Sequence, residues 1–347
     1  MTSGRRPSPP TGPVGIREVA ELAGVSPGTV SNALNRPERV ASGTLEAVLA
    51  AVDALGFIPN QHARALTGAP TQLIGLIVLD LTSPFFMSLA QAVEAAARNA
   101  GYSMLLCNSE NDADREAEQL RLLAAHRVTG AVVTPAHGND PVATRLRDRV
   151  PLVLLDHDGG SDGCGVAVDH VAGARAATRH LLDLGHESLA FIAGTSDLRQ
   201  FVQRAEGIRQ ELEASDLDPR THLREVYVSD IGIEGGMEAA ERLLAGDMPT
   251  AVLCGNDMLA FGVFRRLVRA GLKIPADVSL VGYDDIEFAA DWIVPLTTVR
   301  QDTREMGRLA AELIIDHASA GAEHVHSRTV LTPQLVVRLS TGPRPQR

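Results

Sequence analysis

Polar side chains follow several of the short apolar runs in the larger, C-terminal part of the chain. In chain order they are Asp80 to Phe86 (DLTSPFF), Asp156, Asn256, Asp257, Asp284 and Asp285. Carboxylates, an amide and an aromatic pair suit a polyhydroxylated ligand, because they offer acceptors for its hydroxyl groups and a flat apolar face for its C–H groups. An Asp or Asn after a strand can also simply cap the next helix. For any single residue we favour the cap, and we expect Asp257 and Asp285 to be structural.

The apolar runs themselves form two series. The first is LIGLIVL, YSMLLCN, GAVVTP and PLVLLDH, with amphipathic stretches at 87–100 and 115–125 between them. The second is SLAFIAG, REVYVS, TAVLCGN and VSLVGYDD. Alternating strands and helices predict an α/β body of two doubly wound lobes with parallel sheets. Such sheets bind ligands at the carboxyl ends of their strands, where the polar residues lie.

Three short helices are predicted before this body. Ile16, Val19, Ala20 and Ala23 have helical spacing, and Gly24 supplies a turn. A second helix begins at Ser26 as N-cap, with Pro27 at its first position, where the missing N–H would have lacked a partner anyway. Its predicted buried stripe is Val30, Ala33 and Leu34. This arrangement indicates a helix-turn-helix module.

The third helix of the module is expected to be capped by Ser42 and to end at Gly56. Its apolar face comprises Leu45, Val48, Leu49, Val52 and Leu55.

The second helix of the module would contact the DNA bases. Pro27 and Gly28 in its first turn cannot donate a side-chain hydrogen bond, so direct readout should fall to Asn32, with Thr29 and Ser31 better suited to phosphates.

The segment FIPNQHARALTG predicts a further short helix after the module. Asn60 can cap it and Gly68 would end it, and a helix of this length orders only when something holds it. Ala63 is small enough for two copies to pack closely. Leu66 could wedge between base steps in the minor groove.

Charge is distributed unevenly along the 347 residues, whose net charge is −11. Six arginines and five acidic residues in 1–70 give this part a charge of +1, which leaves −12 for the rest. An acidic body with a near-neutral head suits a small DNA-binding module attached to a larger domain. The start, MTSGRRPSPPTGP, has no apolar run after its charges, so we expect a disordered arm at 1–13 and a cytoplasmic protein without a membrane span.

From Ile16 to about Thr341 the chain resembles the lactose repressor (LacI) family of bacterial transcription regulators. The DNA-binding head and hinge correspond to IREVAELAGVSPGTVSNALNRPERVASGTLEAVLAAVDALGFIPNQHARAL. The likeness continues through TQLIGLIVLDLTSPFF, HLLDLGHESLAFIAG, PTAVLCGNDMLAFGVF, VSLVGYDDIEFAADWIVPLTTVRQD and LVVRLST. The resemblance implies a two-lobed body with the fold of periplasmic sugar-binding proteins and an effector between the lobes.

The resemblance also selects effector contacts among the polar residues. Those implied are Asp80, Phe85, Phe86, Asp156, Arg204, Ile231, Asn256, Asp284 and Gln301, of which Asp156 is implied less directly. Ile231 stands where several members place an aromatic that stacks on the ligand, so one face of the site would be aliphatic. The residue types suit a sugar or sugar derivative somewhat better than a purine. No cofactor is implied.

By the same resemblance the protein is a homodimer that binds a palindromic operator, most often to repress genes of sugar uptake or catabolism. The expected DNA contacts are Ser26, Pro27, Gly28, Thr29, Ser31, Asn32, Asn35, Asn60, His62, Ala63 and Leu66. The expected domains are the arm 1–13, the helix-turn-helix domain 14–58, the hinge 59–70 and the body 71–347. Within the body, the N-lobe would take about 71–170 and 300–328 and the C-lobe about 171–299 and 329–341.

Two other classes of protein fit the sequence less well. A sugar-binding protein for transport would explain the body but not residues 16–66. An enzyme has little support, because no GxGxxG, GxxxxGK or GxSxG motif is present and Lys273 is the only lysine.

No metal site is expected from the sequence. Cys107, Cys164 and Cys254 are far apart without CxxC spacing, which favours small buried side chains in a reducing compartment. The loop DHDGGSDGC lacks regular ligand spacing. His324 and His326 are expected on the surface.

Overall fold

The computed structural model of the chain describes residues 14–57, 71–136, 150–157, 163–195 and 198–346. The chain divides into two compact units, one ending at Thr71 and the other beginning at Gln72. We call them the head and the body.

The head contains the three predicted helices, α1 (Ile16–Ala23), α2 (Pro27–Asn35) and α3 (Ser42–Leu55), with a 3₁₀ turn at Pro37–Arg39. After α1, Gly24 has a φ of 66°, a left-handed conformation that glycine adopts without steric cost. The core is formed by small and branched apolar side chains from all three helices: Val19, Ala20, Val30, Ala33, Val48 and Ala51.

Ser26 caps α2 as predicted, and its hydroxyl accepts a hydrogen bond from the Thr29 backbone N–H at 3.1 Å. The prediction for α3 is wrong in two details. Ala41 holds the N-cap position and Ser42 is the first helical residue, without a side-chain cap. Leu49, expected on the apolar face, is 46% exposed, because the buried face of α3 is centred on Val48 and Ala51 and position 49 lies on its flank.

The body contains two six-stranded sheets in its described residues. The first consists of β1 (Leu73–Val78), β2 (Ser103–Asn108), β3 (Gly130–Val133), β4 (Leu152–Leu155), β5 (Cys164–Val168) and β11 (Arg328–Leu331). The second consists of β6 (Leu189–Ala193), β7 (Leu223–Tyr227), β8 (Ala251–Cys254), β9 (Ser279–Asp284), β10 (Thr297–Arg300) and β12 (Gln334–Val336). All neighbouring strands pair in parallel except β10 and β12. The order is β11-β5-β4-β3-β1-β2 in the first sheet and β12-β10-β9-β8-β6-β7 in the second.

Helices connect and cover these strands. They are α4 (Pro84–Asn99), α5 (Ala113–Ala125), α6 (His170–Asp183), α7 (Arg199–Glu213), α8 (Pro219–His222), α9 (Ile233–Leu244), α10 (Asp257–Arg269), α11 (Phe288–Asp291) and α12 (Thr303–Ala320). Central strands such as β4 and β8 are buried along their whole length, as parallel sheets with helices on both faces require. The doubly wound α/β class predicted from the sequence is therefore confirmed.

Each sheet with its helices forms one lobe of the body. The chain enters the second lobe after β5 and returns to the first after β10, where α12 packs against α4 and covers β3, β4 and β5. It re-enters the second lobe only after Leu331, because β11 pairs with β5 of the first sheet. The boundary expected near residue 329 is thus three residues too early.

Among the described residues, no helix combines the length and the apolar character that crossing a bilayer requires.

Candidate functional site

A cleft in the body collects side chains from the ends of strands in both lobes. Every residue proposed as an effector contact lines it: Asp80, Phe85, Phe86, Asp156, Arg204, Ile231, Asn256, Asp284 and Gln301. They converge because the carboxyl ends of parallel strands meet at one edge of each sheet. Two of the carboxylates, Asp156 and Asp284, have positive φ angles of 54° and 115°. Backbone strain of this kind, which costs of order 1–3 kcal/mol for a residue with a side chain, is concentrated at functional sites.

The cleft has further lining residues that the family resemblance did not select as effector contacts. They are Thr82, Ser83, Gln200, Phe201, Gly232 and Met258. Helical spacing could have revealed two of them, because Gln200 and Phe201 lie four and three residues before Arg204 and share its face of α7. The backbone after β6 and β8 approaches the Phe201 ring closely, since a Cβ at Gly194 or Gly255 would lie within 2.7 Å of it.

Arg204 lies at the centre of a buried polar network and is 4% exposed. Its guanidinium carbon lies 3.6 Å from the centre of the Tyr283 ring. The NH1 group donates to the carbonyl oxygen of Gly255. The NH2 group lies 3.9 Å from an Asp284 carboxylate oxygen, which is an ion pair rather than a close hydrogen bond. The guanidinium group is held by stacking on the ring and by hydrogen bonds from its planar fork. A lysine ammonium group could make neither kind of contact.

His170 connects Arg204 to Asp156. The Nε2 atom of His170 lies 2.7 Å from Asp156 Oδ1, and its Nδ1 accepts from Arg204 Nε at 3.3 Å. Because Arg204 has only donors, Nδ1 must be unprotonated, so Nε2 carries the proton and donates to Asp156. Burial, reinforced by Arg204, lowers the pKa of His170 and keeps it neutral. Burial opposes ionisation of Asp156, but its hydrogen bond with His170 and the nearby Arg204 and Arg199 hold its pKa below the usual range.

Asp284 differs from Asp156 in its protonation. Burial raises the pKa of Asp284 to about 7, although Arg204 and the Gln301 amide oppose the rise. Gln301 Nε2 donates to Asp284 Oδ1 at 2.6 Å. The Oε1 atom of Gln301 is buried and has no hydrogen-bond partner in the described part of the chain. An acceptor left unpaired at this depth is costly unless a ligand donates to it.

Three residues after the strands are held by hydrogen bonds or ion pairs within the protein. Asn256 caps α10, accepting from the Leu259 backbone N–H at 2.8 Å while its own amide donates to the Ile231 carbonyl at 3.0 Å. It therefore lines the cleft with both polar atoms already engaged. Asp257 accepts from the Thr298 hydroxyl and the Ile286 backbone N–H, and Asp285 pairs with Arg300 and Arg338. The expectation that Asp257 and Asp285 are structural agrees with these contacts.

The apolar part of the cleft is mainly phenylalanine. The rings of Phe85 and Phe86 lie 5.2 Å apart and 73° from parallel, an edge-to-face arrangement. Phe201 adds a third ring, and Ile231 supplies the aliphatic face expected from the sequence. The Asp80 carboxylate at the rim accepts from the backbone N–H of Thr82 at 2.7 Å.

On the head, Pro27, Gly28 and Asn32 are exposed, whereas Thr29 and Ser31 are half-buried. The hydroxyls of Ser26 and Thr29 lie 2.9 Å apart and bond to each other. A Cβ at Gly28 would meet only the Ser26 hydroxyl, at 3.6 Å, so packing within the head does not require glycine there. Among the other expected DNA contacts, the side chain of Asn35 and residues Asn60, His62, Ala63 and Leu66 lie outside the described residues.

The cysteines and C-terminal histidines differ in part from expectation. Cys254 is a buried thiol as predicted, and Cys107 is half-buried. His326 is exposed, but the His324 side chain is only 1% exposed and its Nε2 lies 3.0 Å from Cys164 Sγ. The surface position expected for His324 is therefore wrong, because the segment before β11 folds back onto β5. Neither His324 nor His326 lines the cleft.

Comparison with known proteins identifies both units. A model for bacterial regulatory proteins of the lacI family matches residues 15–60, and a model for a periplasmic binding protein-like domain matches residues 178–341. The transcriptional repressor PurR of Photobacterium profundum is 33% identical over 331 residues, which are 94% of this chain and 98% of that protein.

Solved structures agree with this similarity. The Lac repressor dimer bound to operator and the anti-inducer ONPF has a TM-score of 0.84 and 30% identity, over 95% of this chain and 100% of that chain. A LacI family regulator from Enterococcus faecium with bound ribose has a TM-score of 0.72 and 29% identity, over 78% of this chain and 99% of that chain. The chain therefore belongs to the LacI family of bacterial regulatory proteins and is a DNA-binding transcription regulator, not an enzyme.

Proposed function

We propose that the protein represses transcription as a homodimer on a two-fold operator, and that a small ligand bound in the cleft sets its affinity for that operator. The observation that carries the proposal is the convergence of all nine expected effector residues on one cleft between the lobes. A protein with the head but no cleft could bind an operator but would have no site for an effector. A protein with the cleft but no head would resemble a transport protein, and the presence of the head argues against that class.

The polar groups of the cleft are mostly acceptors, so the ligand must bring donors. Asp156, Asp284 and the unpaired Oε1 of Gln301 all accept, while Arg204 has its NH1 engaged by Gly255. A compound with several N–H or O–H groups on its edge would satisfy them. Its ring face would lie against phenylalanine.

Among such compounds we rank a purine base ahead of the sugar that the sequence favours. Phe85, Phe86 and Phe201 offer more flat aromatic surface than the polar residues alone suggested. Asp284 and the unpaired Oε1 of Gln301 offer neighbouring acceptors, which suit the N–H groups on the edge of a base. The relatives of this chain include repressors named PurR, such as that of Photobacterium profundum at 33% identity.

Ligand binding in this account requires the lobes to move. The cavity volume of the cleft is about 60 Å³, well below the roughly 300–1,000 Å³ of ordinary ligand pockets. Separation of the lobes would admit the ligand, and reclosure around it would set a new angle between the two lobes.

The hinge proposed at 59–70 would transmit this change to the head. Leu66 in the hinge would act as a wedge between base steps of the operator. Loss of DNA bending in Leu66→Ala would support the wedge, and unchanged bending would contradict it.

A face on the first lobe is suited to a second copy of the chain. Helices α4 and α12 border a groove of about 1020 Å³ lined by small side chains such as Ala92 and Ala95, with Arg304 and Arg308 at its edge. Small residues let two helices of a partner approach closely. The Lac repressor, similar over 95% of this chain, is a dimer on its operator.

The ligand class can be tested by thermal unfolding and calorimetry of the full chain against purine bases and against ribose, glucose and cellobiose. A purine base at 100 times its Kd should stabilise the protein by about 2.7 kcal/mol, because it binds only the folded state. Stabilisation by a sugar alone would keep the cleft as the site but contradict the purine. If neither class of compound bound, the proposed ligand chemistry would be wrong.

A further inference from the structure

Four metal-binding side chains come together at the outer edge of the first sheet, outside the cleft. Cys164 is the first residue of β5, and His317 lies in the last turn of α12. His324 and His326 lie in the segment between α12 and β11. They are neighbours only because β11 pairs in parallel with β5, which brings residues separated by about 160 positions to one point.

The spacing of the four donor atoms fits a tetrahedral ion. One sulfur or nitrogen atom from each side chain lies within 4.8 Å of all the others. Cys164 Sγ is 3.0 Å from His324 Nε2 and 3.4 Å from His326 Nδ1. Around a tetrahedral zinc ion, with bonds of about 2.0–2.3 Å, neighbouring donors lie roughly 3.3–3.6 Å apart. Small side-chain movements would therefore complete the geometry.

The surroundings of His324 already have the form found behind metal-bound histidines. Its Nδ1 lies 2.8 Å from Asp316 Oδ2. Because a carboxylate accepts, Nδ1 carries the proton, and Nε2 presents its lone pair toward Cys164. A carboxylate that orients a histidine in this way fixes the tautomer and raises the basicity of the ligating nitrogen.

Hydrogen bonds between the described residues leave one nitrogen of this cluster unpaired. His317 Nδ1 is buried without a hydrogen-bond partner among the described residues, and its ring is stacked on His324 with centres 4.2 Å apart. A cation would engage these lone pairs together.

We propose that Cys164, His317, His324 and His326 bind one Zn²⁺ ion. One thiolate with three imidazoles is a donor set for zinc, whereas Mg²⁺ and Ca²⁺ require oxygen ligands. Binding replaces the thiol proton, which is released to solvent as the Zn–S bond forms. The ion would join the end of α12, the start of β5 and the segment leading into edge strand β11. Its role is structural, because all four positions are taken by protein.

The test uses the full chain, purified without a polyhistidine tag and stripped by a chelator. Titration with Co²⁺ should give one equivalent of bound metal, with the visible bands of a tetrahedral ion and a sulfur-to-cobalt charge-transfer band. Zn²⁺ should displace the cobalt and raise the Tm until one equivalent is bound. Absence of saturable binding, or cobalt bound without a sulfur band, would contradict the site.

Single substitutions distinguish loss of a metal ligand from loss of the fold. Cys164→Ser should abolish the sulfur band, and His326→Gln, at an exposed ligand, should weaken binding even if Cys164→Ser fails to fold. Asp316→Asn, which removes no ligand, should reduce zinc affinity by about 10- to 100-fold at unchanged stoichiometry. The controls Cys107→Ser and His222→Gln change a thiol and a histidine outside the cluster and should leave binding intact. Retained binding in His326→Gln and Asp316→Asn, or loss in either control, would overturn the assignment.

Discussion

The guanidinium carbon of Arg204 lies 3.6 Å from the centre of the Tyr283 ring, and Nε of the same side chain donates to His170. This cation is held inside the second lobe by contacts that a smaller or non-planar group cannot make. Its remaining donors face Asp284 and the cleft. Arg204 therefore connects the cleft to the buried network behind it.

Replacement of Arg204 should uncouple the ligand from DNA. We expect Arg204→Ala to weaken ligand binding by at least tenfold, because it leaves the buried carboxylates Asp156 and Asp284 without their cation. Arg204→Lys should restore little, since an ammonium group can neither stack flat nor donate as a fork. Operator binding without ligand should persist. Arg209→Ala, on the same helix but paired with Glu225, is the control. Normal ligand titration of operator binding in Arg204→Ala would remove this residue from the site.

Asp284 should make ligand affinity depend on pH. Its pKa of about 7 means that it is protonated at pH 6 and ionised at pH 8. A ligand that donates N–H groups to it binds the ionised form better, so affinity should rise with pH and be about fivefold weaker at pH 6 than at pH 7. Calorimetry from pH 5.5 to 8.5 measures this slope. Asp284→Asn should flatten it, whereas exposed Asp247→Asn should not. A slope that survives in Asp284→Asn would contradict the assignment.

The Asp284 carboxyl should make the ligand-free protein less stable as the pH rises, whereas it should make ligand affinity higher. Because its pKa is raised in the folded state, from about 3.8 to about 7, folding takes up a proton between these values. The contribution of Asp284 to the free energy of unfolding is therefore present below pH 4 and is lost as the pH rises through 7. In denaturant unfolding, the wild type should lose stability relative to Asp284→Asn between pH 4 and 7, and the difference should be constant above pH 8.

Asn32 should carry direct base readout. It is exposed on α2, while Pro27 and Gly28 before it have no side-chain donors. Asn32→Ala should cost about 1–3 kcal/mol of discrimination at one base pair of each half-site. Binding-site selection from random DNA measures this loss. Ser31→Ala, at a position better suited to phosphate, should instead weaken all sequences similarly. An unchanged selection profile for Asn32→Ala would refute the role.

The groove between α4 and α12 should be a dimer interface. Ala95→Arg places a long charged side chain in it, which a close second copy could not accommodate. We expect sedimentation to show monomers, operator affinity to fall by several orders of magnitude, and ligand binding to remain. The exposed substitution Arg98→Ala, outside the groove lining, should leave the dimer intact. If the Ala95→Arg variant sedimented as a dimer, the interface would have to lie elsewhere.

The sequence predicted this fold well because its signals are local. Alternating apolar runs defined the two sheets, and Ser26 with Pro27 defined the start of α2. Local reasoning failed at the start of α3: Ser42 is the better N-cap by residue type, yet Ala41 occupies that position because α3 begins one residue earlier than predicted.

The candidate sites show the same limit. Asn256 reached the cleft as predicted, but only coordinates reveal that its amide is already engaged as a cap. The group of Cys164, His317, His324 and His326 has no sequence signature, because β5 and β11 become neighbours only through the order of strands in the first sheet. Protonation of Asp284 likewise depends on burial, which residue type alone does not give.

We expect the binding of ligand in the cleft and of operator at the head to be coupled. The most direct test measures the operator Kd of the full chain with and without saturating ligand, and the ligand Kd with and without saturating operator. Both constants should change by the same factor, of the order of 5- to 150-fold, since coupling free energy is reciprocal. Equal operator affinity in the presence and absence of a ligand that demonstrably fills the cleft would contradict it.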